Sequence, residues 1–231
     1  MSVLQRAGYR VYSSDFDANG ATSDICCGRS YLAHGLVAKA RTHAQQTLEV
    51  LLPHVESGRK IIGLEPSCLL AIRDDYRFLG LGEIAEKVSA QALLFEEYVA
   101  REHSAGRFKL DFDSTRIPHD KILVHGHCHQ KAVGAMKAMR KLLKMIPNLD
   151  YEFVEASCCG MAGSFGLEQE HASLSLQMAE QDLFPTLRRQ PDASVVANGF
   201  SCQQQILNGL GRSSLHIAQL LMQALPDKTA S

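Results

Sequence analysis

Two adjacent cysteines followed by glycine occur twice in this chain, as CCG at 26–28 and again at 158–160, and each motif is followed downstream by a further cysteine, Cys68 or Cys202. The offset is 132 residues between Cys26 and Cys158 and 134 between Cys68 and Cys202. That period is too long for a solenoid repeat and fits duplicated domains. The likeness extends past the cysteines. Each CCG follows a β-like segment, GYRVYSS (8–14) or YEFVEAS (151–157), with a longer loop intervening in the first case. Each later cysteine follows an apolar run, IIGLEPSC (61–68) or SVVANGFSC (194–202).

The second unit reads more completely. KILVHGHCHQ (121–130) is a short β-branched run leading to Cys128, and VGAMKAMRKLLKMI then places Val133, Met136, Met139, Leu143 and Ile146 at helical spacing. Strand YEFVEAS, the CCG, a helical stretch around Leu174 and Met178, strand SVVAN, Cys202 and a short helix follow, with Pro185 expected to divide the helical stretch. Strands alternating with helices predict an α/β fold of parallel sheets flanked by helices, with right-handed crossovers. The first unit repeats this order without its initial strand. Its helices are expected through Leu32, Leu36, Ala40, Ala44 and Leu48, and near 83–101 through Ile84, Val88, Tyr98 and Val99. The expected organisation is a partial unit over 1–104, a linker over 103–120 with Gly106 and Pro118, and a complete unit over 119–231. On this reading the chain begins inside its first repeat.

Composition narrows the function. With 24 Lys plus Arg against 25 Asp plus Glu, the formal charge is −1, which argues against a general binder of nucleic acid or anionic membrane. No apolar run approaches the roughly 18 residues of a spanning helix, and Arg6 and Arg10 interrupt any signal-like N-terminus, so a cytoplasmic protein is expected. Seven cysteines among 231 residues is far below the level of about 8–10% that marks a secreted disulfide scaffold. In a reducing compartment such thiols point to metal or redox chemistry.

In an open parallel sheet, ligands bind beyond the carboxyl ends of the strands. Cys128, Cys158 with Cys159, and Cys202 each lie just after an expected strand and near a helix start, where the helix dipole favours thiolate. Four thiolates suffice for an iron–sulfur cluster. Gly28 and Gly160 supply the backbone freedom for two adjacent sulfurs to face one centre, and Gly163 in MAGSFG lets backbone N–H groups approach it. His125, His127 and His129 flank Cys128. On an extended strand the three histidines share one face and Cys128 the other. They read either as hydrogen-bonded rim histidines or as groups supporting the ligands or moving protons. Lys121, Lys131, Lys137, Arg140, Lys141 and Lys144 form a basic stretch, read as a solvated helix face or as a dock for an acidic partner or anionic cofactor. A zinc site stays open, although no CxxC spacing supports a finger. A stand-alone thiol enzyme is a third alternative.

HGHCHQKA (125–132), EASCCGMAGSFG (155–166) and ANGFSC (197–202), with ICCGRS (25–30) and GLEPSC (63–68), resemble the cysteine-rich CCG domain. That domain occurs twice in the B subunit of heterodisulfide reductase, in iron–sulfur subunits of glycolate and anaerobic glycerol-3-phosphate dehydrogenases, and at the C-terminus of FAD-linked 2-hydroxyacid oxidases. The likeness is greatest to the D-lactate and D-2-hydroxyglutarate dehydrogenase type. The resemblance implies an electron relay through [4Fe–4S] clusters from a flavin to an acceptor. The ligands it implies are Cys128, Cys158, Cys159 and Cys202, with Gln205 at the position of a fifth cysteine. In the first unit Cys26, Cys27 and Cys68 match and Leu70 and Ala71 follow where the last cysteine would stand, an incomplete set. The sequence holds no Gly-rich FAD-binding stretch and no CxxCxxC run. The resemblance therefore implies a subunit or C-terminal fragment that acts with an FAD-linked oxidase domain or subunit, peripheral to the inner membrane at most through that partner. A degenerate domain serving as a structural or zinc-bound assembly module is the alternative.

Overall fold

The structure, a computed structural model, describes residues 2–13, 25–119 and 121–227. In chain order its regular elements are α1 (Ser2–Arg6), α2 (Arg29–Ala33), α3 (Val37–Glu56), β1 (Ile61–Gly63), α4 (Pro66–Arg73), α5 (Glu83–Ser89), β2 (Ala92–Leu94), α6 (Phe95–Ser104), β3 (Lys121–His125), α7 (Cys128–Ala132), α8 (Met136–Leu143), β4 (Asp150–Phe153), α9 (Ala172–Gln181), α10 (Leu183–Arg189), β5 (Ser194–Ala197), α11 (Phe200–Leu210) and α12 (Ile217–Gln223). The chain divides into two compact units, residues 10–95 and residues 1–9 with 96–231. Among the described residues no helix is long and apolar enough to cross a membrane.

In the larger unit β3 is the central strand of a three-stranded sheet of order β4-β3-β5, parallel throughout. Ile122, Leu123 and Val124 are all buried, as expected of a strand covered on both faces. Its register sets Val124 opposite Phe153 on β4 and Val196 on β5. Leu215 extends the ladder: its N–H donates to the Val195 carbonyl (2.8 Å) and its carbonyl accepts from Ala197 N–H (2.9 Å). Leu123 and Val195 join Ala179, Leu183, Phe184 and Leu187 from the crossover helices and Ile206 from α11 in one core cluster that also takes in Cys159 and Cys202. Since the three strands run the same way, their carboxyl ends share one edge. The segments leaving that edge carry Cys128, the Cys158–Cys159 pair and Cys202.

The unit of residues 10–95 has a two-stranded parallel sheet, β1 beside β2, with Ile62 opposite Leu93. Helix α3 buries Ala40, Ala44, Thr47, Leu48 and Leu51, a stripe at helical spacing. Helix α4 starts on Pro66 at its first position, where the missing N–H costs nothing, and Glu65 caps it by accepting from Ser67 N–H (3.0 Å).

Several sequence expectations are corrected here. GYRVYSS is not a strand: residues 8–13 are irregular, and Ser14 with the loop expected to follow it through residue 24 lies outside the described residues. The strand that pairs with β1 is Ala92–Leu94, read from sequence as part of a helix over 83–101. All three of its residues are buried, and a fully buried strand shows no alternation to separate it from a buried helix. The helix expected from Leu32 to Leu48 breaks at Gly35 (φ 70°), leaving Leu36 exposed, and the one expected from Val133 starts only at Met136, after Gly134 (φ 72°). Residues 103–120 are not a free linker: Phe108, Phe112 and Ile117 are buried, and Asp113 N–H donates to the Ala224 carbonyl (2.8 Å). The helical stretch divides at Asp182, and Pro185 stands in the first turn of α10, where a proline is tolerated. Helix α6 and residues 2–9 pack with the larger unit, Tyr9 bonding Glu102 through its hydroxyl (2.9 Å).

Candidate metal centre

The three segments leaving the sheet edge are each shaped to present sulfur. After β3 the chain turns through Gly126, where a Cβ would stand 2.6 Å from Met136 Sδ, and enters α7 at Cys128. Histidine at 127 caps that helix: its Nδ1 accepts from His129 N–H (3.2 Å), while the Gln130 side chain accepts from His127 N–H (3.0 Å). Cys128 is thus the first residue of a helix and not an extended residue facing away from the histidines, as strand alternation had it. After β4, Gly160 takes φ 89° with its Cα against the Ser175 carbonyl; an added Cβ would be 2.1 Å from that oxygen. The left-handed turn lets Gly160 N–H donate to Cys158 Sγ at 3.3 Å. Gly163 also has positive φ (74°) but faces open space. After β5, Cys202 is the third residue of α11, close to the positive end of that helix dipole.

The four thiols form a contiguous row. Cys128 interacts with Cys158, Cys158 with Cys159, and Cys159 with Cys202. The outermost, Cys128, is exposed, and the innermost, Cys202, is buried. Cys158 is held far below the ordinary thiol range by Cys128 and Cys159, with the Gly160 N–H adding to the effect. Cys202 is lowered by Cys159, and His125 acts in the same direction. Cys128 and Cys159 are pushed up by the same neighbours and by burial. Neighbouring sulfurs of the metal-free row thus share their protons, and a bound metal would displace those that remain.

The buried end of the row meets His125, the last residue of β3. His125, Cys159 and Cys202 are all buried, and their donor atoms lie within 4.8 Å of one another. Neither ring nitrogen of His125 has a hydrogen-bond partner among the described residues. A buried imidazole left with two idle nitrogens beside two sulfurs is poorly explained as packing. It fits a metal-centred group held by these donors. Sequence reading placed His125 among supporting groups; the structure brings it within direct ligand reach. His127 serves as the helix cap, and His129 stands partly exposed on α7.

Three further side chains complete the surroundings: sequence reading gave Lys131 only as part of a basic stretch and Gln205 only as the place of a missing cysteine, and it passed over Glu96. Lys131 Nζ binds the carbonyls of Ala156 and Ser157, just before the cysteine pair, and its electrostatic neighbours are all four thiols; burial is the main influence, lowering its pKa. Gln205 donates to Ser175 at both its carbonyl (3.1 Å) and hydroxyl (3.0 Å), so this amide braces the surface on which Gly160 turns. Glu96 is buried and bonded to Gln130 and Asn198.

The other unit assembles less. Cys27 and Cys68 thiols touch at 2.9 Å and Cys26 is exposed. The Cys68 contact lowers Cys27 to about 7 and raises Cys68, so the pair shares a proton. Gly28 turns at φ 72°, and the carbonyls of Cys26 and Cys27 accept from Thr47 (3.0 Å) and Tyr76 (2.9 Å) hydroxyls. Leu70 and Ala71 are buried, supplying no further ligand.

Comparison with known proteins places this geometry. The chain is 29% identical to the C subunit of anaerobic glycerol-3-phosphate dehydrogenase of Escherichia coli (strain K12) over 88% of its own length and 50% of that protein's. It is 24% identical to D-2-hydroxyglutarate dehydrogenase of the same strain, and 25% to that of Pseudomonas putida, over 96% of its length and 20% of theirs. It thus spans half of one relative and a fifth of the others. Residues 122–206, which contain Cys128, Cys158, Cys159, Cys202 and His125, match the CCG family of cysteine-rich domains.

Proposed function

We propose that this chain is the iron–sulfur electron-transfer component, as a subunit or as part of a longer protein, of a flavin-dependent 2-hydroxyacid dehydrogenase. The carrying observation is the buried trio His125, Cys159 and Cys202 at the carboxyl edge of a parallel sheet, with donor atoms within 4.8 Å of one another, next to which Cys158 and Cys128 follow as electrostatic neighbours. On this reading those four cysteines hold a [4Fe–4S] cluster, whose bound form supplies one-electron capacity. The residues' own tasks are then distinct. Cys158 and Cys202, both lowered by their sulfur neighbours, lean towards the ligand form, and Lys131 sets a positive charge beside an anionic group. Gly160 N–H donates to sulfur, a bond that tunes reduction potential. FAD belongs to a partner domain or subunit, and the assembly is cytoplasmic, reaching the inner membrane only through that partner. The two CCG segments descend from one repeated unit, of which Cys26, Cys27 and Cys68 keep an incomplete ligand set.

A second reading has one observation in its favour: the trio His125, Cys159 and Cys202 is a mixed nitrogen and sulfur donor set of the kind zinc takes. Iron and acid-labile sulfide analysis of anaerobically purified protein, with EPR after reduction, separates the two. Iron and sulfide in comparable amounts, with a reducible signal lost in Cys158→Ser, support the cluster. Stoichiometric zinc without a reducible signal, or iron-free protein, overturns it.

A further inference from the structure

Glu96 stands in the first turn of α6 with 1% of its surface exposed. A carboxylate so placed is ordinarily matched by a cation; here its partners are two amides. Gln130 Nε2 donates to Oε1, and Asn198 Nδ2 donates to Oε2 (3.3 Å). Neither amide is free to turn round. The Gln130 oxygen is held by His127 N–H (3.0 Å) and the Asn198 oxygen by Ile217 N–H (3.0 Å). With both oxygens engaged on backbone donors, both NH₂ groups must point at residue 96. The centre of the network therefore calls for an acceptor oxygen towards each amide, which the two oxygens of a carboxyl group offer and the single oxygen of an amide does not.

The two amides sit on the two segments that carry the ends of the thiol row. Gln130 belongs to α7, which opens with Cys128, and its bond to His127 N–H sets the turn into that helix. Asn198 follows β5 and precedes α11, on which Cys202 stands. We propose that Glu96 is a positioning residue for the metal centre, tying the Cys128 segment to the Cys202 segment through Gln130 and Asn198. The assignment rests on the reading of those cysteines as ligands, but the tie itself is a property of the metal-free chain.

Donor and acceptor matching makes the test specific. In Glu96→Gln the new amide satisfies one neighbour and sets NH₂ against NH₂ at the other. Adding Asn198→Asp restores an acceptor there: the introduced carboxylate accepts from both Gln at 96 and Ile217 N–H. The measurement is the alkylation rate of each cysteine in metal-free protein, resolved by peptide mass spectrometry, together with iron content and EPR line shape of the anaerobically purified protein. Glu96→Gln, folded by circular dichroism, is expected to alkylate Cys202 about tenfold faster than wild type, the scale of one lost bond to a charged group. Cys27 and Cys68 serve as internal controls with unchanged rates. Iron content falls and the EPR line shape broadens in the same variant, and Glu96→Gln/Asn198→Asp returns all three towards wild type. Unchanged alkylation in Glu96→Gln, or a double variant no better than the single, overturns the proposal. If Glu96→Gln does not fold, the double variant must fold; its failure too overturns the proposal. Wild-type protein that binds no iron would defeat the cluster reading alone, because the alkylation comparison still decides the tie.

Discussion

Gly160 turns at φ 89° against the Ser175 carbonyl of α9, and Gly28 turns at φ 72° against the Ala40 carbonyl of α3. Cys202 is the third residue of the helix that follows β5, and Cys68 is the third residue of the helix that follows β1. The backbone of the two CCG sites is thus the same device built twice. Their chemistry diverges. The row in the larger unit has four sulfurs, an idle imidazole and the Lys131 ammonium beside it, whereas the smaller unit has three sulfurs and Glu65, whose charge raises both Cys27 and Cys68. A shared fold therefore does not make a shared site. Gathering thiolates is favoured beside a cation and opposed beside a carboxylate.

The largest expected effect breaks the comparison at the metal. Cys202→Ser should abolish iron retention, since it removes the buried end of the row, while Cys68→Ser should leave iron per chain unchanged. Metal analysis of the two purified variants checks this, and iron loss in Cys68→Ser as well would remove the contrast between the two sites.

Next comes the turn. Alanine at 160 must take a left-handed conformation and place Cβ 2.1 Å from a backbone oxygen, whereas alanine at 28 would meet Ala40 O at 2.9 Å. Left-handed strain and overpacking together put Gly160→Ala at about 3–5 kcal/mol and Gly28→Ala at about 1–3 kcal/mol. Hydrogen exchange read separately in each unit measures both costs, and equal values would show that Ser175 moves aside.

A pH difference follows from Glu96, which burial raises to about 7, against the opposing effect of its two amide donors. Between about pH 4.5 and 7 the unfolded chain has lost this proton and the folded chain keeps it, so stability falls as pH rises. Thiols lowered by their neighbours slope the other way, so the useful quantity is wild type minus Glu96→Gln, from which they cancel. That difference should drop by up to about 3 kcal/mol from pH 4.5 to 8 and then level off. Urea titrations of both proteins across the range measure it; a flat difference would place the Glu96 proton elsewhere.

How much of this was written in the sequence depends on the distance over which each signal acts. Cys128, the 158–159 pair and Cys202 were legible as strand-end residues because β3 and β5 are β-branched runs and the motif recurs. Strand β2 was not, because Ala92–Leu94 is buried on every side and continues the apolar rhythm of α5. The breaks at Gly35 and Gly134 were hidden by helical spacing on either side of them. Residues 103–120 looked like a linker from their charges, though Phe108 and Phe112, stacked at 6.5 Å, showed where that segment would pack. Glu96 carries no local mark at all. Its role arises from Gln130 and Asn198, which come close only when β3 and β5 pair, and a lone acidic residue at a helix start has many simpler explanations.

The smallest effect concerns the caps of the two matching helices. Glu65 accepts from Ser67 N–H to cap α4, while α11 starts from Gly199 without a side-chain cap. Glycine at 199 is required for space, because a Cβ there would stand 2.4 Å from His127 Cδ2, the ring that caps α7. Glu65→Ala should cost only about 0.5–1 kcal/mol in helix stability. It also removes the carboxylate that raises Cys27 and Cys68, so the pH midpoint for Cys27 alkylation should move below about 7. Gly199→Asp, which by capping preference alone would stabilise α11, should instead destabilise the larger unit by displacing His127. A gain in stability from Gly199→Asp would show that α11 starts free of that ring, and the two sites would then differ in their ligands alone.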